Sequence, residues 1–261
     1  MGTKGAIGLA LPARRVDDRF VTALVHALVE PILDAGSSLV TPVVADAAAE
    51  ERLYRHWAET GGIDGVVLLD ARTDDPRVPL LQSLSFPLAA VAEAAPDPAV
   101  PAVVIDLDAS VAVLRDFLDS RPTRPVVHVT GPDGDARSLS APDPADRYRA
   151  VHARSESEAL TAAEDAASHG PVTLLFDSDA WAVDALRAVQ ARGLRVPEDV
   201  AIISTTNSAL CQSSTPSITA LDRRGEVIGA LLGRRVLAAV AGEGPTCERA
   251  PEPFVAIGET A

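Results

Sequence analysis

The chain has 261 residues, of which 47% are hydrophobic and 23% charged, and its formal net charge is −14 at pH 7. This length can bury a large core in one large domain or in two lobes. The acidic balance argues against a chain that grips nucleic acid by itself, because phosphate binding needs a basic face. No run approaches the roughly 18 apolar residues that span a membrane, and the N-terminus lacks the shape of a signal peptide, so we expect a cytoplasmic protein with no membrane partner.

Short apolar strands alternate with helices along the whole chain. The pattern predicts strands at residues 6–11, 39–44, 65–69, 88–91, 103–107, 125–130, 172–176, 200–204, 218–221 and 254–257. Helical spacing predicts helices near residues 20–32, 46–59, 82, 108–118, 155–168, 181–189 and 222–241. Such alternation is typical of parallel sheets covered on both faces, and two successive runs of these units imply two lobes that meet at a cleft.

Several helices carry recognisable end signals. Asp46 and Asp108 are expected N-caps, and Ser155 with Glu158 has the spacing of a capping box. The last long helix is predicted to be amphipathic, with one apolar face formed by Val227, Leu231, Val236 and Val240.

The sequence carries no signature of an enzyme, a metal site or a cofactor site. It has no G-x-S-x-G elbow, no P-loop and no H-E-x-x-H motif. The five histidines are scattered, and His128 lies inside an apolar strand, where a satisfied core histidine is the default. Cys211 and Cys247 have no metal-ligand spacing and are expected to be free thiols. We therefore expect no catalytic residue, no bound metal and no cofactor.

Several segments resemble, in the same order, the LacI/GalR family of bacterial transcription regulators. The most specific is GLRVPEDVAII at residues 193–203, where a helix ends at Gly193 and a buried strand begins at Val200. Looser matches are AIGLALP at 6–12, GIDGVVLLD at 62–70, VVIDLDASVAVL at 103–114, VVHVTGP at 126–132, TPSITAL at 215–221 and FVAIGETA at 254–261.

The resemblance implies an α/β, two-lobed, periplasmic-binding-protein-like fold of type I. Each lobe would be a parallel sheet flanked by helices, with three crossovers between the lobes. The N-terminal lobe would comprise residues 5–123 and 222–243, and the C-terminal lobe residues 124–221 and 250–261. The chain starts where the effector domain of that family starts, so its helix-turn-helix headpiece is expected to be absent. Either the chain was trimmed, which we favour, or it is a natural headless relative.

The resemblance also implies ligand contacts in the first lobe. The counterpart of the family's N-P-x-F segment is residues 17–20, in which Arg19 and Phe20 would reach the cleft. The alternative is that the two aspartates of this segment only favour the helix N-terminus and Phe20 is core. Asp106 stands at the family's strand-end acid, which can accept hydrogen bonds from sugar hydroxyls. Its alternative role is to cap the next helix.

In the second lobe, Ser178 and Asp179 stand at the family's N-D pair, where Asp179 is the expected helix N-cap. Thr206 and Asn207 stand at its D-D pair, so a threonine replaces a common ligand-binding carboxylate. Trp181 is expected to pack. The position of the family's effector-binding arginine is occupied by Pro144, in an irregular stretch from 134 to 151 that is short for the usual helix. The nearby substitutes in that stretch are Arg137, Arg147 and Arg149.

These observations predict the ligand-sensing and dimerisation domain of a LacI-type repressor that is not itself an enzyme. Its partners would be a sugar or related metabolite in the inter-lobe cleft, a second copy of the chain, and operator DNA reached only through a headpiece outside the chain. The alternatives are a solute-binding protein of a transporter, an enzyme on a related two-lobed scaffold, and a degenerate sensor retained for dimerisation only.

Overall fold

The computed structural model describes residues 5–16, 18–93, 97–131 and 147–261. Its strands are β1 (Ala6–Leu9), β2 (Leu11–Pro12), β3 (Ser38–Val40), β4 (Val43–Val44), β5 (Ile63–Ala71), β6 (Leu88–Ala92), β7 (Ala102–Val104), β8 (Val126–Thr130), β9 (Tyr148–His152), β10 (Val172–Phe176), β11 (Val200–Ser204), β12 (Thr219–Asp222), β13 (Cys247–Arg249) and β14 (Phe254–Ala256). Its α-helices are α1 (Arg19–Asp34), α2 (Ala47–Thr60), α3 (Arg77–Ser83), α4 (Leu107–Asp119), α5 (Glu156–Ser168), α6 (Asp179–Ala191), α7 (Ala209–Ser213) and α8 (Gly225–Val240).

The chain divides into two compact units. Unit 1 contains Met1–Leu107 and Arg224–Pro251, and unit 2 contains Asp108–Arg223 and Glu252–Ala261. This division differs from the predicted one at α4, which we had assigned to the first lobe. Leu114 and Leu118 of α4 pack with buried side chains of β8, β10 and β11, so the helix covers the sheet of unit 2.

The sheet of unit 1 is parallel, with the described strands in the order β13-β7-β6-β5-β1-β3. Apolar side chains of α1 and α8 pack on one face. Side chains of α2 and α3 pack on the other. Because the strands are buried on both faces, they are nearly continuous apolar runs, as in other covered parallel sheets.

The sheet of unit 2 has the described order β14-β12-β11-β10-β8-β9, and only β14 is antiparallel to its neighbour. Helices α5 and α6 cover one face, where Trp181 packs against the core as predicted. The C-terminal segment is tied into this sheet by Thr260, which is fully buried. Its hydroxyl donates to the Ile202 carbonyl at 2.6 Å and accepts from the Thr219 amide at 3.0 Å. The predicted α/β class with parallel sheets flanked by helices is confirmed.

Most predicted elements are present, and the differences are local. Asp46 and Ser155 cap α2 and α5 as expected. Asp108 is not a cap, because α4 begins one residue earlier and the predicted strand at 103–107 ends at Val104. The sequence analysis missed α7, β9 and β13, and β9 lies in the stretch expected to be irregular. Both cysteines are free thiols. Within the described ranges, no helix has the length and apolarity to cross a bilayer.

Half of the predicted apolar face of α8 is confirmed, since Val236 is fully buried and Leu231 packs against the core, but the contact with α1 is made through glycines that the sequence analysis did not predict. Its buried residues include Gly225, Gly229 and Gly233, whereas Val227 and Val240 are exposed. A Cβ placed on Gly229 would lie 2.1 Å from the Leu24 carbonyl oxygen of α1. A spacing of four residues returns to the same face of a helix, so the three glycines form a groove that admits the α1 backbone.

We expect Gly229→Ala to destabilise the protein by about 3 kcal/mol or more, because the added methyl meets a backbone atom that cannot move aside. In a helix without such a contact, replacing glycine by alanine normally stabilises the protein by about 1 kcal/mol. A loss of stability therefore indicates the close contact with α1. Urea unfolding of wild type and variant measures it. Gly244→Ala is the control, since a Cβ there meets nothing within 4 Å. A neutral or stabilising Gly229→Ala would contradict the close contact between the two helices.

A buried ionic network ties α2, β5 and α3 together in unit 1. The Arg77 guanidinium donates to both oxygens of Asp75 at 2.9 and 2.7 Å, to Glu50 at 3.2 Å and to the Leu69 carbonyl at 3.0 Å. Tyr54 donates to the same Glu50 oxygen at 2.6 Å. Burial acts to raise the pKa of Asp75, but hydrogen bonds from Arg77 outweigh it and hold the pKa below its ordinary value. The network therefore favours the ionised carboxylate.

A carboxylate with a lowered pKa in the folded state stabilises the fold above its unfolded pKa and loses that contribution as pH falls. We expect Asp75→Asn to cost roughly 1.5–3 kcal/mol near pH 7, since charged hydrogen bonds are lost. The gap should begin to shrink as pH falls below about 4, where the carboxyl of the unfolded chain takes up a proton, and should close further as the folded carboxyl is protonated at lower pH. Urea midpoints from pH 7 to pH 3 measure it. A gap that stays constant over this range would contradict the assignment.

Candidate functional site

Each sheet has a point at its carboxyl edge where the strand order reverses. In unit 1, β3 lies on one side of β1 and β5 on the other, so the reversal falls between β1 and β5. In unit 2, β9 and β10 flank β8 in the same way, so the reversal falls between β8 and β10. Ligands of open α/β sheets bind beyond the carboxyl ends of the strands at such points. The polar side chains at these two edges are therefore the candidates for ligand contacts within each unit.

In unit 1, a charged cluster stands at the reversal point. A turn of 3-10 helix after β2 ends at Arg15, whose guanidinium contacts Asp18 at 2.7 Å and Asp70 at 2.8 Å. Asp18 is the N-cap of α1 and accepts from the amides of Phe20 and Val21. Burial acts to lower the pKa of Arg15, but the carboxylates of Asp70 and Asp18 outweigh it and raise the pKa. The sequence analysis missed Arg15 and Asp70.

The structure separates the predicted site residues of unit 1. Arg19 is exposed in the first turn of α1. Phe20 is half-buried and packs with the core beside Gly225 of α8, which supports its alternative role as a core residue. Asp106 is exposed, and its carboxylate lies 3.8 Å from Arg249. It follows β7, three strands from β1, which corresponds to roughly 14 Å at the usual strand spacing. Asp17 lies outside the described residues.

In unit 2, the end of β10 leads directly into α6. Ser178, rather than Asp179, is the N-cap, and its hydroxyl accepts from the Trp181 amide at 3.4 Å. Asp179 lies in the first turn, is 5% exposed, and accepts from the Ala180 amide at 2.9 Å. A carboxylate is favourable there because the helix dipole is positive at this end.

The end of β11 carries Thr206 and Asn207, and both join hydrogen bonds with β12 or the segment after it. Asn207 donates to Asp222 at 3.1 Å and accepts from Gln212 at 2.7 Å. The Thr206 hydroxyl accepts from Arg223 at 3.5 Å. The two residues therefore lie at one edge of the sheet, within a hydrogen-bonded network. The network can both donate hydrogen bonds to a hydroxylated molecule and accept them from it.

A buried histidine and carboxylate accompany this edge. His128 Nε2 lies 2.7 Å from Asp177 Oδ1, and the Thr205 hydroxyl lies 3.5 Å from the same oxygen. The His128 side chain is almost fully buried, as predicted for a core histidine. The sequence analysis did not single out Asp177, although an aspartate directly after an apolar strand was the available signal.

Arg147, one of the predicted arginines, does not join this edge. Arg147 immediately precedes β9, which runs parallel to β8, so it stands at the amino ends of the strands. There its guanidinium bonds the Asp119 carboxylate and lies 4.8 Å from the Tyr148 ring centre. The opposite edge of the sheet carries Ser178, Thr206 and Asn207, so the structure contradicts the prediction that Arg147 shares a site with them. Arg137 and Pro144 lie outside the described residues.

A small cavity lies on the helical flank of unit 2, between α6 and α7. It is lined by Val183, Leu186 and Leu210 with a polar rim, and its volume is about 190 Å³. Ligand pockets are usually about 300–1,000 Å³, so this cavity is a poor candidate for the main site. Among the described residues, no three His, Cys, Asp or Glu side chains are grouped in a way that could hold a metal ion.

Comparison with known proteins agrees with this fold. Residues 134–260 match the family described as periplasmic binding protein-like domain. A stretch of 66 residues is 33% identical to the HTH-type transcriptional regulator CelR of Thermobifida fusca, covering 25% of this chain and 19% of that regulator. The chain therefore spans about a fifth of the length of that curated relative.

Solved structures extend the similarity over nearly the whole chain. A LacI family transcriptional regulator from Bifidobacterium animalis superimposes with a TM-score of 0.81 at 24% identity, covering 98% of this chain and 97% of that one. The transcriptional regulator CelR in complex with cellobiose superimposes with a TM-score of 0.74 at 20% identity, covering 98% and 84%. The resemblance stated from the sequence is confirmed at the level of the fold, which is that of the effector-binding region of LacI-family regulators.

Proposed function

We propose that this chain is the ligand-sensing domain of a LacI-type transcription repressor, and that its effector is a sugar or a related metabolite. The observation that carries the proposal is the convergence of polar side chains at the carboxyl edge of each sheet, at the point where the strand order reverses. The solved complex of a similar regulator with cellobiose supports a sugar as the class of ligand.

Within unit 2, the proposed contacts are Ser178, Thr206 and Asn207, with Asp179 as a buried carboxylate behind them. Hydroxyl and amide groups both donate and accept hydrogen bonds, which suits a ligand rich in hydroxyls. The hydrogen bonds of Asn207 to Asp222 and Gln212 hold its amide in place before a ligand arrives. Such preorganisation lowers the entropy lost on binding. In unit 1, Arg19 and Asp106 stay predictions from the resemblance, as does binding between the two lobes.

The proposed mechanism is a population shift rather than turnover. A ligand that binds one arrangement of the domain better than another moves the population toward the first. In a regulator with a DNA-binding headpiece, that shift changes the affinity for operator DNA, and operator binding changes ligand affinity by the same factor. Titration of operator DNA with the headpiece-bearing regulator, with and without ligand, tests this step, and an unchanged affinity for every ligand would exclude it.

We expect at least one hydroxylated compound to raise the melting temperature of this chain in a saturable way. The probes are cellobiose, glucose, glucose 6-phosphate, sorbitol and adenine. A ligand at a hundredfold excess over Kd adds about 2.7 kcal/mol, which corresponds to roughly 5–10 °C for a chain of this size. Asn207→Ala should reduce the ligand-induced shift, while the control Arg192→Ala, at the exposed C-terminal end of α6, should not. Absence of any shift would favour the degenerate, dimerisation-only sensor.

We also propose that the chain forms a homodimer through unit 1. Exposed apolar side chains occur on both packed helices, with Leu33 of α1 58% exposed and Val227 of α8 38% exposed. Exposed apolar side chains on a surface of a folded unit are the kind of feature that marks an interaction site when they form a patch. Sedimentation velocity should give the mass of two chains, and Leu33→Asp should give that of one. Ile257→Asp is the control, at an apolar residue of unit 2 that is 70% exposed. A monomeric wild type would exclude the dimer.

A further inference from the structure

The charged cluster at the reversal point of unit 1 joins three separate segments. Arg15 comes from the turn after β2, Asp18 from the start of α1 and Asp70 from the end of β5. The guanidinium donates through Nη1 to Asp18 at 2.7 Å and through Nε to Asp70 at 3.0 Å, and its Nη2 lies 2.8 Å from Asp70. The cluster therefore places one cation and two carboxylates where β1 and β5 end.

Stability gives little reason for this arrangement. The side chains of Arg15 and Asp70 are 31% and 40% exposed, and ion pairs with such exposure contribute about 0–1 kcal/mol. Asp70 also has a φ of 51°, a left-handed conformation that costs of order 1 kcal/mol or more for a residue other than glycine. The pairing of β5 with β6 is interrupted between Leu68 and Ala71, beside this residue. Backbone strain of this kind is concentrated at ligand-binding sites.

We propose that Arg15 and Asp70 are the ligand-binding pair of unit 1, and that they select a neutral, hydroxyl-bearing ligand over an anionic one. The proposal rests on the proposed function of the chain as a ligand-sensing domain. It replaces Arg19 with Arg15 as the arginine of this edge, because Arg15 bonds Asp70 near the end of β5, the strand that neighbours β1 where the order reverses.

The preference for a neutral ligand follows from short-range chemistry. A guanidinium has five N–H donors, and the bonds to the two carboxylates use three of them. A hydroxyl can accept from a remaining donor and donate to Asp70, so it adds to the cluster without breaking the ion pairs. Phosphate oxygens only accept, and a phosphate would have to face both carboxylates or displace one. Exposed Arg14 and Arg72 flank the cluster in sequence, and their positive charges would attract an anion at longer range. The proposed selection against an anionic ligand therefore depends on the direct contacts with Arg15 and Asp70.

The experiment is isothermal titration calorimetry with cellobiose, glucose and glucose 6-phosphate. Arg15→Gln and Asp70→Asn remove the proposed contacts, and asparagine tolerates the left-handed conformation. We expect the Kd for the neutral sugar that binds wild type to rise about tenfold or more in each variant. Arg55→Gln is the matched control, since Arg55 is an exposed arginine of the same unit that pairs with Glu51. Its Kd should change less than about twofold.

The outcomes separate the two proposals. If a neutral sugar binds wild type and both cluster variants equally, Arg15 and Asp70 are not ligand contacts, while the sensing function stands. If glucose 6-phosphate binds more tightly than glucose, the selection for neutral ligands is wrong. If no probe binds wild type, the proposed sensing function fails and this inference fails with it. Melting temperatures of the ligand-free variants should match wild type closely, so that a loss of binding reports the contacts rather than unfolding.

Discussion

Unit 1 depends on the close approach of α8 to α1. The chain leaves this unit at residue 107 and returns to it at residue 224, so α8 is the helix that completes the unit. The groove formed by Gly225, Gly229 and Gly233 sets the distance between the two helices, since any side chain at Gly229 would overlap the α1 backbone. The same two helices cover one face of the sheet whose carboxyl edge holds Arg15 and Asp70. The spacing of two helices on that face therefore supports the strand positions that bring the charged cluster together.

In unit 2, the polar side chains at the carboxyl edge of the sheet hold one another in place by hydrogen bonds. Asn207 is held by Asp222 and Gln212, and Thr206 by Arg223. Position 206 is a threonine where the resemblance implies a carboxylate, and Asp222 places a carboxylate on the adjoining strand β12. The edge thus keeps a mixture of donors, acceptors and negative charge, although its individual residues differ from those that a motif comparison leads one to expect.

The sequence was informative where local signals act alone. Asp46, Ser155 and the Gly193 stop marked helix ends correctly, because caps and stop signals depend on a few neighbouring residues. Apolar periodicity found Val236 of the buried face of α8 but not the glycine contact with α1, since glycine contributes no apolar side chain. Arg147 was assigned to the wrong edge of the sheet because β9 was not predicted. Without β9, the sequence did not indicate that Arg147 stands at the amino ends of the strands. Arg15 and Asp70 are 55 residues apart and only the sheet order brings them together.

Both units are discontinuous along the chain, and this has a consequence for synthesis. Unit 1 needs α8 and β13, while unit 2 needs β14 and the buried Thr260, which bonds β11 and β12. On the ribosome, where domains tend to fold as they emerge, neither unit can close its core until nearly all of these residues have been made. The apolar strands of the first sheet therefore wait, with their α8-facing surface exposed, through the synthesis of more than a hundred further residues. Apolar surface that stays exposed during synthesis is prone to aggregation, and here it stays so until α8 has been made.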